Sequence, residues 1–259
     1  MLVSYLESRH LKYILGAAIG ISIVMLTKGP IGLMMPALAI GGHFALKKQW
    51  KPLVDWRWLL LIFGVGVFLL PMCLGLYQQY GTDGLKFYFW TQSFGRITGE
   101  SNWQNNTTPL YFFHVFLWSF LPWTLIAISA LFHEFTSIRK NLAKSDSEFY
   151  LISGITLVWL ALSFSKFKLP HYIFVVYPLV AILAARYIDN LTSFSKWAWT
   201  QLAVSVLAVF FLIFILVYCF PDGGWLVPVI IFLAAVAATI VFFMLYRSTQ
   251  VVYPTLIMS

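Results

Sequence analysis

The chain has 259 residues, of which 61% are hydrophobic and 10% are charged, and its mean hydropathy is +0.84. A soluble domain of this size could not bury so much apolar surface, so the composition predicts a helical integral membrane protein. The formal net charge of +8 is spread thinly between apolar stretches and forms no basic tract, which argues against nucleic acid as a partner.

Eight apolar stretches follow one another along the chain. They cover residues 13–27, 29–46, 58–77, 109–132, 149–164, 171–188, 198–220 and 225–246. Several are close to the lower limit of about 17 residues for a helix that crosses a bilayer. The pattern predicts an all-α, polytopic transmembrane bundle of about eight spans, organised as a single transmembrane domain over residues 1–259.

Most basic residues fall on one side of this predicted bundle. If the N-terminus is placed inside, twelve of the 17 Lys and Arg residues lie in inside loops, namely Arg9, Lys12, Lys47, Lys48, Lys51, Arg57, Arg139, Lys140, Lys144, Arg186, Lys196 and Arg247. Cytoplasmic loops carry an excess of Lys and Arg, so this distribution predicts that both ends of the chain are cytoplasmic.

Five basic residues fall on the opposite, outer side. They are Lys28, Lys86, Arg96, Lys166 and Lys168. Positive charge held against the topology rule needs a reason. An anionic ligand at the outer membrane face is the simplest one.

One predicted outer loop, residues 78–108, is long. From Asp83 to Ile97 its pattern predicts a short amphipathic helix with Asp83 as the N-cap. Aromatic side chains are favoured at the headgroup level, and this helix carries five of them, Phe87, Tyr88, Phe89, Trp90 and Phe94. We therefore expect the helix to lie flat in the membrane interface.

The first two apolar stretches are separated only by Lys28, Gly29 and Pro30. They form either a tight outer hairpin or one broken helix, and the sidedness of the flanking charges favours the hairpin. A Gly-Pro pair frees backbone amides, and broken helices at membrane depth often line polar cavities. Lys28 is then either a ligand for an anion or a turn lysine that reaches the lipid headgroups.

The segment Ser165 to Tyr172 places two lysines, Lys166 and Lys168, in a short outer loop. Pro170 suits the first position of the next helix, where its missing N–H costs little. The positive N-terminus of that helix would add to the attraction for phosphate. The alternative is a loop that only anchors the protein at the headgroups.

Arg96 follows the aromatic helix of the outer loop, and its guanidinium suits bidentate contact with phosphate. The alternative is a surface arginine that touches lipid headgroups. Taken together, several cations on one face beside apolar surface fit a lipid-linked phosphate. The sequence predicts no metal site and no cofactor, since the five histidines are scattered without metal-ligand spacing.

Four segments carry a resemblance to a known family. They are LTKGPIGLMMPALAI at 26–40, FYFWTQSFGRITGE at 87–100, PLYFFHVFLWSFLPW at 109–123 and LSFSKFKLPHYIFVVYPLVAILAA at 162–185. They resemble polyprenyl-phosphate-dependent membrane glycosyltransferases of the protein-mannosyltransferase and aminoarabinose-transferase type, which have the GT-C fold. The last segment is the most specific of the four.

The resemblance implies transfer of a sugar from an undecaprenyl- or dolichyl-phosphate donor to a lipid or protein acceptor. The site would lie on the outer face of a membrane, in bacteria the inner membrane, and lipid A modification is one such activity. Lys28 and Arg96 map to donor-phosphate ligands, and Lys168 and Tyr172 map to the donor pocket, with Lys166 beside them. The implied partners are the polyprenyl-phosphate-linked sugar and membrane lipids.

The sequence departs from the family in one respect. The family's catalytic carboxylate is usually part of an Asp-Glu pair in an early outer loop, and this chain contains no Asp-Glu dipeptide. We therefore expect the N-terminal catalytic-loop portion to be missing, or supplied by a second subunit, and the chain alone to bind donor without transferring sugar. The alternative function is a non-catalytic lipid-binding membrane subunit or a transporter.

Overall fold

In the computed structural model, the described residues are 1–98, 105, 107–142, 148–191, 195–219, 224–238 and 241. They are almost entirely helical and contain no strand, which confirms the predicted all-α membrane fold. The chain divides into two compact units, Met1–Trp118 with Ala127–Asp189, and Ser119–Ile126 with Asn190–Ser259. The single domain over 1–259 stays a prediction.

The first unit holds most of the helices. They are α1 (Leu2–Ser8), α2 (Leu11–Lys28), α3 (Ile31–Leu46), α4 (Arg57–Lys86), α5 (Gly95–Thr98), most of α6 (Tyr111–Ser119) and of α7 (Thr124–Leu142), α8 (Tyr150–Ser163) and α9 (Tyr177–Asp189). Shorter 3-10 helices span Lys51–Val54 and Pro170–Val175, and a π-helix spans Phe87–Phe94. The second unit contains α10 (Ser195–Cys219) and α11 (Leu226–Ala238).

Three of the described helices are long and apolar enough to cross a membrane, over Leu11–Lys28, Arg57–Thr91 and Trp199–Cys219. Shorter apolar helices cover Ile31–Leu46, Thr124–Ile138, Tyr150–Ser163 and Leu226–Ala238. The protein is thus an integral membrane protein. The number of about eight crossings stays a prediction.

Two of the predicted spans are not continuous α-helices. The stretch 109–132 holds two helices, α6 and α7, and Pro122 lies between them where it interrupts neither. The stretch 171–188 begins with the 3-10 helix Pro170–Val175 before α9. Hydropathy does not register either break because most residues at both are apolar.

Helices α1, α2 and α4 enclose a buried apolar cluster. It consists of Tyr5, Ile14, Ala17, Ala18, Ile21, Met25, Leu61, Val65 and Leu69. Small residues bring α2 and α4 close together, since a Cβ on Gly64 would lie 3.0 Å from that of Ala18. Such contacts replace the hydrophobic effect as the main source of helix association in lipid.

Helices α3 and α8 approach each other even more closely. A Cβ added to Gly42 would lie 2.5 Å from the Cβ of Ser153, and the Ser153 hydroxyl donates a 2.8 Å hydrogen bond to the Ala39 carbonyl. At the C-terminal end of α3, His43 Nδ1 accepts a 3.0 Å hydrogen bond from the main-chain N–H of Phe149. The end of α3 therefore meets the start of α8, and the two helices are antiparallel.

This packing sorts the loops of the first unit between two ends. Because α8 runs back along α3, the loop after Ser163 lies at the end where Ile31 begins α3 and Lys28 ends α2. We call this the lysine end, since it carries Lys28, Lys166 and Lys168. The segments that carry Lys28, Lys166 and Lys168, which the sequence places on one side of the bundle, therefore lie at one end of this unit.

The opposite end of the unit carries basic residues of the other predicted group. There Arg9 forms a 2.8 Å ion pair with Asp55, which also accepts a 3.0 Å hydrogen bond from the hydroxyl of the buried Tyr5. The main-chain N–H of Arg57 donates a third bond to Asp55, at 3.1 Å. These contacts fix α1 against the start of α4.

Candidate functional site

The turn between α2 and α3 forms the first part of the site. Gly29 adopts φ 72° and ψ −165°, a conformation that favours glycine, and its N–H donates a 2.7 Å bond to the Met25 carbonyl. The hairpin is tight, because a Cβ on Gly32 would lie 2.8 Å from a methyl of Val24. The predicted hairpin is present, and the side chain of Lys28 is exposed beside it. Its position at the outer face stays a prediction.

The outer-loop helix begins at a sharp bend in α4. Gly81 adopts φ 60° and ψ −146°, and a Cβ on Gly84 would lie 2.9 Å from the Leu76 carbonyl oxygen. The predicted helix from Asp83 is present, but its predicted N-cap is wrong. The bend is at Gly81, where only glycine is unstrained, and Asp83 lies already inside the helix with an exposed side chain.

One aromatic residue of this helix contacts α2 directly. The hydroxyl of Tyr88 donates a 2.7 Å hydrogen bond to the Met25 carbonyl, the same oxygen that caps the end of α2 through Gly29. Its neighbours Phe87, Phe89 and Trp90 are largely exposed. Tyr88 therefore holds the outer-loop helix at the lysine end.

Arg96 lies in α5, which directly follows the π-helix that contains Tyr88. Its side chain lies outside the described part of the structure, as do Glu100 and residues 101–104. The position of the Arg96 guanidinium stays a prediction.

The loop between α8 and α9 buries one of its two lysines. Lys168 is 4% exposed, and its ammonium donates a 3.0 Å hydrogen bond to the carbonyl of Thr107. Its main chain is held by Asn105, whose Oδ1 accepts from Lys168 N at 3.0 Å and whose Nδ2 donates to Lys168 O at 2.6 Å. Lys166 is exposed two residues away.

Tyr172 lies beside this loop in the 3-10 helix that Pro170 begins. Its half-buried ring makes edge contacts with Phe167, at 6.5 Å between ring centroids, and with His171, at 4.9 Å. The proline position was expected, but a 3-10 helix replaces the expected first turn of an α-helix. Its short length makes it a weaker dipole than a full helix would be.

The three lysines of the lysine end form no ion pair with a described acid. Neither of the two ion pairs in the described part of the chain, Arg9 with Asp55 and Arg186 with Glu148, involves Lys28, Lys166 or Lys168. Burial lowers the pKa of Lys168 below the ordinary lysine value, and the neighbouring charge of Lys166 lowers it further. A buried ammonium bound to a neutral carbonyl is an unfavourable arrangement that a bound anion would relieve.

The structure brings the exposed Lys28 and Lys166 and the buried Lys168 to one end of the unit. Tyr172 lies beside the loop between α8 and α9 that carries Lys166 and Lys168. Sequence reasoning gave no site role to the residues that organise them: it assigned Tyr88 to the membrane interface and gave no role to Asn105 or Thr107. Their role comes from pairing across 63, 63 and 61 positions, which no local pattern reveals. Among the described residues, no cluster of His, Cys, Asp or Glu could hold a metal ion.

Comparison with known proteins gives the family context. The chain is 28% identical over 179 residues to the undecaprenyl phosphate-alpha-4-amino-4-deoxy-L-arabinose arabinosyl transferase of Edwardsiella ictaluri, a match that covers 69% of this chain and 31% of that protein. A second relative is the undecaprenyl phosphate-alpha-4-amino-4-deoxy-L-arabinose arabinosyl transferase 2 of Sodalis glossinidius. It is 30% identical over 173 residues, and the match covers 67% of this chain and 30% of that protein. The predicted resemblance is confirmed.

The fold agrees with this relationship. The crystal structure of ArnT from Cupriavidus metallidurans bound to undecaprenyl phosphate matches 77% of this chain with a TM-score of 0.62, at 21% identity and over 35% of its own length. This part of the chain therefore has the fold of an aminoarabinose transferase segment. The chain spans about a third of the length of the relatives it matches, and no family model matches it.

Proposed function

We propose that this chain binds the phosphate of a polyprenyl-phosphate-linked sugar and serves a multi-pass glycosyltransferase of the bacterial inner membrane. The acceptor would be a lipid or protein at the outer face. The observation that carries the proposal is the buried ammonium of Lys168, which has a carbonyl as its bonded partner and lies at the same end of the unit as Lys28 and Lys166. The similarity to aminoarabinose transferases supports the same donor class.

The chemistry of such a donor suits cations held in place before reaction. When the bond from the sugar's anomeric carbon to the phosphate oxygen breaks, negative charge grows on the lipid phosphate. Ammonium groups beside that phosphate stabilise the charge, and they do so more strongly in a site that excludes water. Lys168 is the buried ligand in this proposal, and Lys28, Lys166 and Arg96 are the outer ones.

An acceptor hydroxyl that attacks the anomeric carbon must lose its proton to a base. Of the acids in the outer loop, the described Asp83 is exposed within α4. We assign this chain the phosphate-binding part of the reaction. The base that takes the acceptor's proton would come from another segment of the same protein or from a second subunit.

Binding of undecaprenyl phosphate to the purified chain in lipid nanodiscs tests the proposal. We expect Lys168→Ala to weaken binding by about tenfold or more, the usual worth of a hydrogen bond to a charged group. Lys51→Ala is the matched control, since it removes an exposed lysine at the opposite end of the unit. Undecaprenol, which has the tail but no phosphate, should not compete.

Equal affinities of the Lys168→Ala and Lys51→Ala variants would contradict a phosphate role for Lys168. Competition by undecaprenol as strong as that by undecaprenyl phosphate would show that only the tail is bound. The latter result would favour a general lipid-binding subunit over a donor-binding one.

A further inference from the structure

A single asparagine joins two segments that are distant in sequence. Lys168 N donates to Asn105 Oδ1 at 3.0 Å, and Asn105 Nδ2 donates to Lys168 O at 2.6 Å. A carboxamide is the side chain that offers a donor and an acceptor on one planar group, so it can pair with both main-chain groups of one residue. The two bonds also settle the orientation of the amide, because the flipped amide would face donor with donor and acceptor with acceptor.

The same asparagine organises the acceptor of the lysine ammonium. Thr107 N donates to Asn105 O at 2.9 Å, and Thr107 Oγ1 donates to Asn105 Oδ1 at 3.3 Å. The carbonyl of Thr107 then accepts the 3.0 Å bond from Lys168 Nζ. Asn105 therefore holds the main chain of Lys168 directly and holds its ammonium through Thr107.

This closed set of bonds restrains both ends of a flexible side chain. A free lysine side chain has rotamer entropy to lose when a ligand fixes it. A lysine that is already fixed gives up less of that freedom on binding. An ammonium also has three N–H donors, and Thr107 takes one of them among the described contacts.

We infer that Asn105 is a positioning residue of the anion site, which holds Lys168 in place so that its ammonium can meet a phosphate oxygen. The inference rests on the proposed function, because it needs Lys168 to bind the donor phosphate. Asn105 itself need not touch the ligand. Its effect passes through Lys168.

A double-mutant cycle separates this role from a merely structural one. Undecaprenyl phosphate binding is measured in nanodiscs for the wild type, Asn105→Ala, Lys168→Ala and the double variant. We expect Asn105→Ala to weaken binding by about tenfold, but to change it less than about twofold when Lys168 is already alanine, since interacting residues are non-additive. Gln49→Ala, which removes an exposed carboxamide at the opposite end, is the control and should bind as the wild type does.

A second variant covers the case in which Asn105→Ala does not fold. Asn105→Leu is close to asparagine in shape and carries no charge, but it removes both the acceptor for Lys168 N and the donor to Lys168 O. It should weaken binding through Lys168 as well. An equal loss of affinity with and without Lys168, in either folded variant, would overturn the inference and leave Asn105 a structural residue.

The outcomes also separate this inference from the proposed function. If the wild type does not bind undecaprenyl phosphate, the proposed function fails. If the wild type binds and Lys168→Ala weakens binding while both Asn105 variants match the wild type, only the positioning role fails.

Discussion

The hydroxyl of Tyr88 donates a 2.7 Å hydrogen bond to the main-chain carbonyl of Met25, three residues before Lys28. This bond fixes the aromatic outer-loop helix to the end of the helix that carries the first candidate lysine. Met25 O also accepts the N–H of Gly29, so one oxygen serves both the turn and the loop. The turn and the outer loop that the family resemblance pointed to separately are therefore in direct contact.

The Tyr88→Phe variant tests whether this contact matters for binding. The carbonyl of Met25 keeps its bond from Gly29, so we expect a stability loss of at most about 1 kcal/mol. Undecaprenyl phosphate binding should weaken by a few-fold, because the outer loop is less restrained. Tyr80→Phe is the control, since that side chain is largely exposed. Equal binding by the two variants would show that the contact is structural alone.

Adjacent glycines in α3 allow a matched test of helix packing. A Cβ on Gly42 would lie 2.5 Å from that of Ser153, whereas a Cβ on Gly41 would meet nothing within 4 Å. We expect Gly42→Ala to destabilise the protein by about 1–3 kcal/mol through overpacking. Gly41→Ala should be neutral or should stabilise by roughly 0.5–1 kcal/mol, the gain in helix propensity. Thermal unfolding in detergent measures both, and similar melting temperatures would disprove the close α3–α8 contact.

The pH dependence of phosphate binding reports on Lys168. Its pKa is lowered by burial and then by Lys166, so it loses its charge below the usual lysine value of about 10.4. Affinity should fall as pH rises through that lowered pKa, because Lys168 loses its positive charge. Lys168→Arg stays charged and should lack this fall. The variant keeps every other group of the site, including Lys28, Lys166 and Tyr172, so the difference between the two curves isolates Lys168, and identical curves would count against it.

Stability at the opposite end depends on Asp55. The main-chain N–H of Arg57 lowers the pKa of Asp55 most, and the Tyr5 hydroxyl and the charges of Arg57 and Arg9 add to this. A lowered folded-state pKa means that the stabilisation is complete above the unfolded value of about 3.9 and is lost as pH falls through the folded value. Asp55→Ala should therefore cost about 1–2 kcal/mol at pH 7 and less in acid. Asp189→Ala, at an exposed position, should cost almost nothing at either pH.

The orientation in the membrane is tested by cysteine labelling. In a background with Cys73 and Cys219 replaced by alanine, we expect Thr108→Cys to react with an impermeant reagent from outside the cell. Gln49→Cys should react only after the membrane is opened, because the flanking basic loop is predicted to be cytoplasmic. Both positions are exposed. The reverse pattern would invert the topology and place the lysine end inside.

Local physical chemistry was enough to predict several features. Composition and long apolar stretches set the class, because apolar side chains in such number require lipid around them. Gly29 and Pro30 end one helix and start another through backbone constraints that act within a few residues, so the hairpin beside Lys28 was predictable. The separation of basic loops also followed from alternation along the chain.

Other features depended on contacts between distant segments. The burial of Lys168 requires Asn105 and Thr107, which lie 63 and 61 positions away in the chain. The bend at Gly81 brings Gly84 close to the main-chain carbonyl of Leu76. No local pattern distinguishes Lys168 from Lys166, yet one is 4% exposed and the other lies at the surface. The sequence by itself determined which residues are charged and which end of the unit they share. Only the tertiary structure decided which ammonium is desolvated, because desolvation depends on what packs around a group in space.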